Sequence, residues 1–156
     1  MQSKAEFLKS LSQEVQALID DDWITSLANV SAVLKQNLND INWVGFYLFK
    51  NGELVLGPFQ GLPACTRIKM GRGVCGKSAE TRKSLRVRDV HEFKDHIVCD
   101  ANSRSELVVP LVHKGRLLGV LDLDSASVDR FDGVDQSALE SIAEIISANV
   151  VWPDKF

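Results

Sequence analysis

Thiols and acids are the residues of this chain best suited to chemistry. Cys65, Cys75 and Cys99 sit in its middle third, Leu121-Asp122-Leu123-Asp124 spaces two carboxyls two residues apart, and Glu106 lies upstream. A thiolate can attack an electrophilic sulfur, and a second thiol can capture the resulting sulfenic acid as a disulfide. A carboxylic acid can supply the proton that a departing oxygen needs. Together these groups suggest thiol redox chemistry supported by acids.

Each group also has a plainer reading. Alternation such as Leu-Asp-Leu-Asp usually marks a half-exposed strand whose acids face water. Cys75 follows Gly71-Arg72-Gly73 and is either a helix-start thiol made acidic by the helix dipole or a small buried side chain. Cys65 and Cys99 fall in irregular polar segments, where burial explains them less well than reactivity or ligation. His91, His96, Cys65, Cys75 and Cys99 can be drawn as a zinc site, but no Cys-x-x-Cys pair supports it. A serine hydrolase lacks its Gly-x-Ser-x-Gly elbow.

Whether the acids meet depends on strand register. Two strands, Leu107 to Val112 and Leu117 to Asp124, turn about Lys114-Gly115, and Glu106 begins the first. A simple two-residue loop sets Glu106 opposite Leu123, sending the carboxyls to different faces. A three-residue loop or one bulge puts Glu106 across from Asp124 and Val108 across from Asp122. Pro110, unable to donate to a ladder, suits an edge or a bulge. The second register is expected, with Asp122 and Asp124 sharing a face with Leu118 and Val120.

The remaining elements frame these groups. Ser3 and Glu6 match a capping box for a helix running to about Asp20, and a second helix spans about Thr25 to Leu38. Trp43 to Phe49 and Glu53 to Gly57 form a hairpin about Asn51-Gly52. On the first strand Trp43, Gly45 and Tyr47 face one way and Val44, Phe46 and Leu48 the other. Gly45 leaves either a gap for an apolar ligand group or a bulge beneath core aromatics. A long loop to Gly73 holds Cys65, a short helix covers Val74 to Arg82, and a strand follows at Leu85 to Val87. His91 to Arg104 is irregular, and a helix from Asp132 to about Val150 closes the chain. This order fits an antiparallel sheet covered by helices.

At 156 residues and 45% apolar composition, one domain over 1–156 with one core is expected. With 18 basic and 21 acidic residues, a net charge of -3 argues against a nucleic-acid surface. No run is apolar enough to span a membrane and no basic leader opens the chain, which places it in the cytoplasm. An odd number of cysteines in a reducing compartment disfavours a static disulfide framework.

Asn42-Trp-Val-Gly-Phe-Tyr47, Gly57-Pro-Phe-Gln-Gly61 with Cys65 after it, Gly71-Arg-Gly-Val-Cys-Gly76, Val98-Cys99-Asp100, Ser105-Glu-Leu-Val-Val-Pro110 and Gly119-Val-Leu-Asp-Leu-Asp-Ser125 together resemble the free methionine-(R)-sulfoxide reductases. These are GAF-domain enzymes of α+β class. The resemblance implies a six-stranded antiparallel sheet with helices on both sides. It also implies reduction of free methionine (R)-sulfoxide through a sulfenic acid and a redox-active disulfide, a defence against oxidative stress, with thioredoxin as reductant. On matching positions Cys99 attacks, Cys65 resolves and Cys75 is a third, assisting thiol. Glu106 and Asp124 serve the sulfoxide oxygen, Asp122 the amino group, and Trp43 with Tyr47 flank the side chain. No metal, flavin or nicotinamide is required, since thiols carry the electrons. Trp152 and Phe156, read as exposed apolar ends, make a homodimer reasonable. The rival expectation is a stand-alone GAF sensory module that binds a small ligand without turnover.

Overall fold

The computed structural model describes residues 1–156. Its elements run α1 (Lys4–Leu18), α2 (Trp23–Asn37), β1 (Trp43–Lys50), β2 (Glu53–Gln60), β3 (Arg67–Lys69), α3 (Gly73–Thr81), β4 (Leu85–Val87), β5 (Ser105–His113), β6 (Arg116–Ser125) and α4 (Gly133–Asn149). The strands make one antiparallel sheet in the order β3-β2-β1-β6-β5-β4. Helices cover both faces, with α1, α2 and α4 on one and α3 on the other.

Local signals start the helices where the sequence calls for them. Ser3 Oγ accepts from the Glu6 amide and the Glu6 carboxylate accepts from the Ser3 amide. Asp132 and Asp135 repeat the arrangement at α4. Each such cap is worth about 1 kcal/mol. Asp22 caps α2 through the Thr25 amide, so that helix begins two residues before the predicted Thr25.

Alternation along β1 divides the interior. Val44, Phe46 and Leu48 join Leu107, Val109, Leu111, Leu121 and Leu123 in the larger core beneath α1, α2 and α4. Trp43 and Tyr47 face the opposite side with Val108 and Val120. Gly45 offers no gap to a ligand: a Cβ there would stand 2.2 Å from that of Phe59, beside a bulge in the β1–β2 pairing. Close strand approach requires this glycine.

Other expectations change as well. β2 continues to Gln60, and β3 lies inside the stretch read as loop. β3 pairs Ile68 with Leu54, but three residues are too few to show an alternation. Trp152 and Phe156 are half-buried: their rings pack on Trp23, with centroids 6.4 and 5.2 Å away. The apolar C-terminus therefore packs on the start of α2, and its supposed exposure gives no ground for a homodimer.

The β5–β6 hairpin holds the site together. Lys114 and Gly115, both at positive φ, form a two-residue turn that pairs His113 with Arg116 and Val112 with Leu117. Leu111 then pairs with Gly119, so one extra residue is taken up at Leu118. Beyond this bulge Glu106 stands opposite Asp124 and Val108 opposite Asp122, the expected register. The bulge is what corrects the face of Leu118: it sits in the larger core and not beside Asp122. Pro110 lies away from the bulge, on a part of β5 beyond the end of β4.

Candidate active site

On the face covered by α3, side chains from five segments converge. β1 supplies Trp43 and Tyr47, β5 supplies Glu106, β6 supplies Asp122 and Asp124, α3 supplies Cys75, and the loop before β5 supplies His96, Ile97, Cys99, Asp100 and Ser103. The eight residues given catalytic or substrate roles by the resemblance are all at or beside this pocket. Cys65 joins it through a disulfide to Cys99, the two Cα atoms 5.2 Å apart. The cavity between these segments is small, about 30 Å³.

Two hydrogen bonds from the aromatic wall fix the Cys65 loop. Trp43 Nε1 donates to the Leu62 carbonyl at 3.1 Å, and the Tyr47 hydroxyl donates to the Cys65 carbonyl at 2.9 Å. Trp43 stacks on Phe59 at 5.2 Å and faces Tyr47 at 6.0 Å. The Cys99 loop is tied to the sheet from the other side. Asn42 Nδ2 donates to Asp100 Oδ2 at 3.0 Å and to Ser103 Oγ at 3.2 Å, while the Arg104 amide bonds the Ser125 carbonyl.

The acids are buried, not solvated as their alternating pattern suggests: Glu106, Asp122 and Asp124 are 8, 5 and 8% exposed. Burial, reinforced by the charges of Asp122 and Asp124, pushes the Glu106 carboxyl well above the usual range. Burial, with Asp122 next, does the same to Asp124. Burial raises Asp122 as well, but only to about 6, because the Glu106 carboxyl and the Cys75 thiol lie close enough to donate to it and hold it down. Three carboxylates in so dry a place cannot all ionise. Asp122 Oδ1 is buried with no hydrogen-bond partner.

Cys75 resolves into the plainer of its two readings. It opens α3, but burial and the nearby acids raise its thiol well above the ordinary value, so desolvation overrides the helix dipole. Its sulfur and one oxygen each of Glu106 and Asp122 lie within 4.8 Å of one another, a set that could close on an ion. The zinc set drawn from sequence does not assemble, because Cys65 and Cys99 are bonded to each other and His91 is exposed beside Asp89.

Sequence reasoning passed over Arg72, Asn42, Asp100 and Ser103. Arg72 lines the pocket at the start of α3, whose first turn carries no side-chain cap. Its basic charge beside a Gly-rich turn was the available signal. Asn42 and Ser103 gave none, since their contact joins residues far apart in the chain.

A six-stranded antiparallel sheet with a pocket between its α3 face and two loops defines a GAF domain, and that family matches residues 26–151. Free methionine-R-sulfoxide reductase of Escherichia coli is 47% identical over 142 residues, 90% of this chain and 86% of the relative. The Saccharomyces cerevisiae enzyme of that name is 39% identical over 96% of this chain and 89% of its own. The Neisseria meningitidis free methionine-R-sulfoxide reductase, solved in complex with its substrate, superimposes with a TM-score of 0.87 at 44% identity, covering 96% of this chain and 91% of that one. The chain belongs to the GAF-domain family, and within it to the free methionine-R-sulfoxide reductases.

Proposed function

We propose that this chain reduces free methionine (R)-sulfoxide to methionine with its own thiols, the whole of residues 1–156 acting as one domain. The observation that carries the reading is the bond between Cys65 and Cys99 above a floor of buried carboxyls. Such a bridge is the oxidised end of a thiol cycle, and a protonated acid beside it is what departure of a sulfoxide oxygen requires.

In the cycle, the Cys99 thiolate attacks the sulfoxide sulfur while Glu106 or Asp124 gives a proton to the oxygen. The hydroxyl then passes from the substrate sulfur to the Cys99 sulfur as the new sulfur–sulfur bond breaks, so methionine leaves with that electron pair and Cys99 is left as a sulfenic acid. Cys65 then attacks the Cys99 sulfur, releasing water and forming the disulfide. An external dithiol such as thioredoxin takes the oxidising equivalents and restores both thiols. Asp122, the most acidic of the three carboxyls, holds the substrate ammonium group, a role its unpartnered buried oxygen supports. The uncapped start of α3 with Arg72 suits the substrate carboxylate. Trp43, with Tyr47 beside it, walls the methyl and side chain. Recognition through both termini of a single amino acid restricts the substrate to the free form.

Recycling by cellular dithiols accords with a cytoplasmic location, and no helix is long and apolar enough to cross a membrane. A homodimer is compatible with this reading and requires its own test by sedimentation. Incubation with racemic methionine sulfoxide and dithiothreitol tests the activity. Consumption that stops at half the substrate supports it. No consumption by the reduced protein overturns it in favour of a sensory GAF module.

A further inference from the structure

The disulfide must be reopened by something from outside, and the surface around it has a distinct character. Cys65 and Cys99 are each half-buried, so the bridge is reachable at the protein surface. Two of the largest exposed apolar side chains flank it. Leu62, three residues before Cys65, is 57% exposed, and Val98, directly before Cys99, is 66% exposed. The remaining exposed apolar side chains, Met1, Ile24, Val128, Val134 and Val151, stand singly elsewhere along the chain.

Charge is also missing on one side of the bridge. From Leu54 to Thr66 the chain carries no charged residue, although a quarter of its residues are charged overall. The bonds from Trp43 to the Leu62 carbonyl and from Tyr47 to the Cys65 carbonyl hold this segment by its backbone. The Leu62 side chain is outside the pocket lining and presented to solvent.

Resting on the function proposed above, we infer that Leu62 and Val98 form the docking rim for a protein dithiol reductant of the thioredoxin type. A thiol–disulfide exchange needs the attacking sulfur in line with the sulfur–sulfur bond. Two apolar side chains at the rim, with no charge on the Leu54–Thr66 side, let the partner's surface approach that closely with few charges to strip of water there. The partner's thiolate attacks one sulfur of the bridge and forms a mixed disulfide. Its second thiol then displaces the enzyme's sulfur, so the partner leaves oxidised and Cys65 and Cys99 are both reduced. A small reductant makes no use of the rim.

The test is the rate at which the isolated oxidised protein loses its Cys65–Cys99 bridge, followed by mass under alkylation, with reduced thioredoxin or with dithiothreitol. It needs no methionine sulfoxide, so its outcome is separate from that of the proposed activity. Leu62→Ser and Val98→Ser are each expected to slow thioredoxin at least about fivefold at subsaturating concentration, and the double variant further. Rates with dithiothreitol are expected to be unchanged, which also shows the variants fold and expose the same bridge. Equal thioredoxin rates in wild type and double variant overturn the inference. Failure of thioredoxin to open the wild-type bridge does so too, as does a double variant whose only change is weaker self-association in sedimentation, which reassigns the rim to a second copy of this chain.

Discussion

Glu106 stands directly across the β5–β6 pair from Asp124, on a face of the sheet closed to water. Burial lifts both carboxyls, so the pair keeps its protons to higher pH than free carboxyls do, while Cys99 needs to be a thiolate. The two requirements oppose each other with pH. Activity is expected to rise as Cys99 ionises and to fall at higher pH as the pair loses its protons. Glu106→Gln, which keeps the shape but cannot release a proton, is expected to lower kcat/KM about 10²-fold to 10³-fold. Initial rates between pH 5 and 10 check this. A wild-type rate that climbs without a descending limb removes the acid from the mechanism.

Asp122 carries a stability cost that depends on pH. Its folded pKa, about 6, lies above its ordinary value of 3.8, so the folded state binds more protons than the unfolded one between these limits. Stability from this group is full below pH 3.8 and is lost as pH rises through 6. Asp122→Asn removes the buried charge. The variant is expected to melt several degrees above wild type at pH 8, with the gap closing toward pH 4, while substrate binding weakens. Thermal melts at the two pH values decide it. A gap of equal size at both would show packing rather than charge.

Most of the scaffold could be read from the chain because its signals are local. The capping boxes at Ser3 and Asp132, the Asn51-Gly52 turn and the two-face division of β1 are each written in a few neighbouring residues. β3 escaped because three edge residues carry no period. The burial of Asp122 and Asp124 was hidden for another reason: an acid on a strand shows its spacing but not what covers it, and here α3 and two loops do. The role of Asn42 as a tie to the Cys99 loop was equally invisible, since Asp100 and Ser103 reach it only through the fold.

Cys75 is expected to stay a thiol throughout the cycle. The oxidised protein joins Cys65 to Cys99 and leaves Cys75 free but buried, its proton held by desolvation and by the acids. A thiol without thiolate is a poor nucleophile. Native oxidised protein should therefore react with almost no thiol reagent, and unfolded protein with one equivalent. Cys75→Ser should keep formation of the Cys65–Cys99 bridge, whereas Cys65→Ser should accumulate a Cys99 sulfenic acid that dimedone traps. Rapid labelling of Cys75 in the folded protein would contradict this.

Gly119 ties the register of the acids to a single backbone position. It lies beside the extra residue of β6 at φ 155°, and a Cβ there would stand 2.0 Å from the Tyr47 carbonyl oxygen. Relief requires either β1 to move away or the bulge to shift. Without the bulge the turn's own pairing would extend along the hairpin, and Glu106 would meet Leu123 in place of Asp124. Gly119→Ala is expected to cost about 2–4 kcal/mol of stability, from the clash and the strained backbone together. Activity should fall beyond what the unfolded fraction explains, because Tyr47 and both acids are displaced with it. Urea unfolding paired with kcat/KM at low temperature, where the variant remains folded, separates the two effects. A variant that is both stable and fully active would show that the bulge does not set the site.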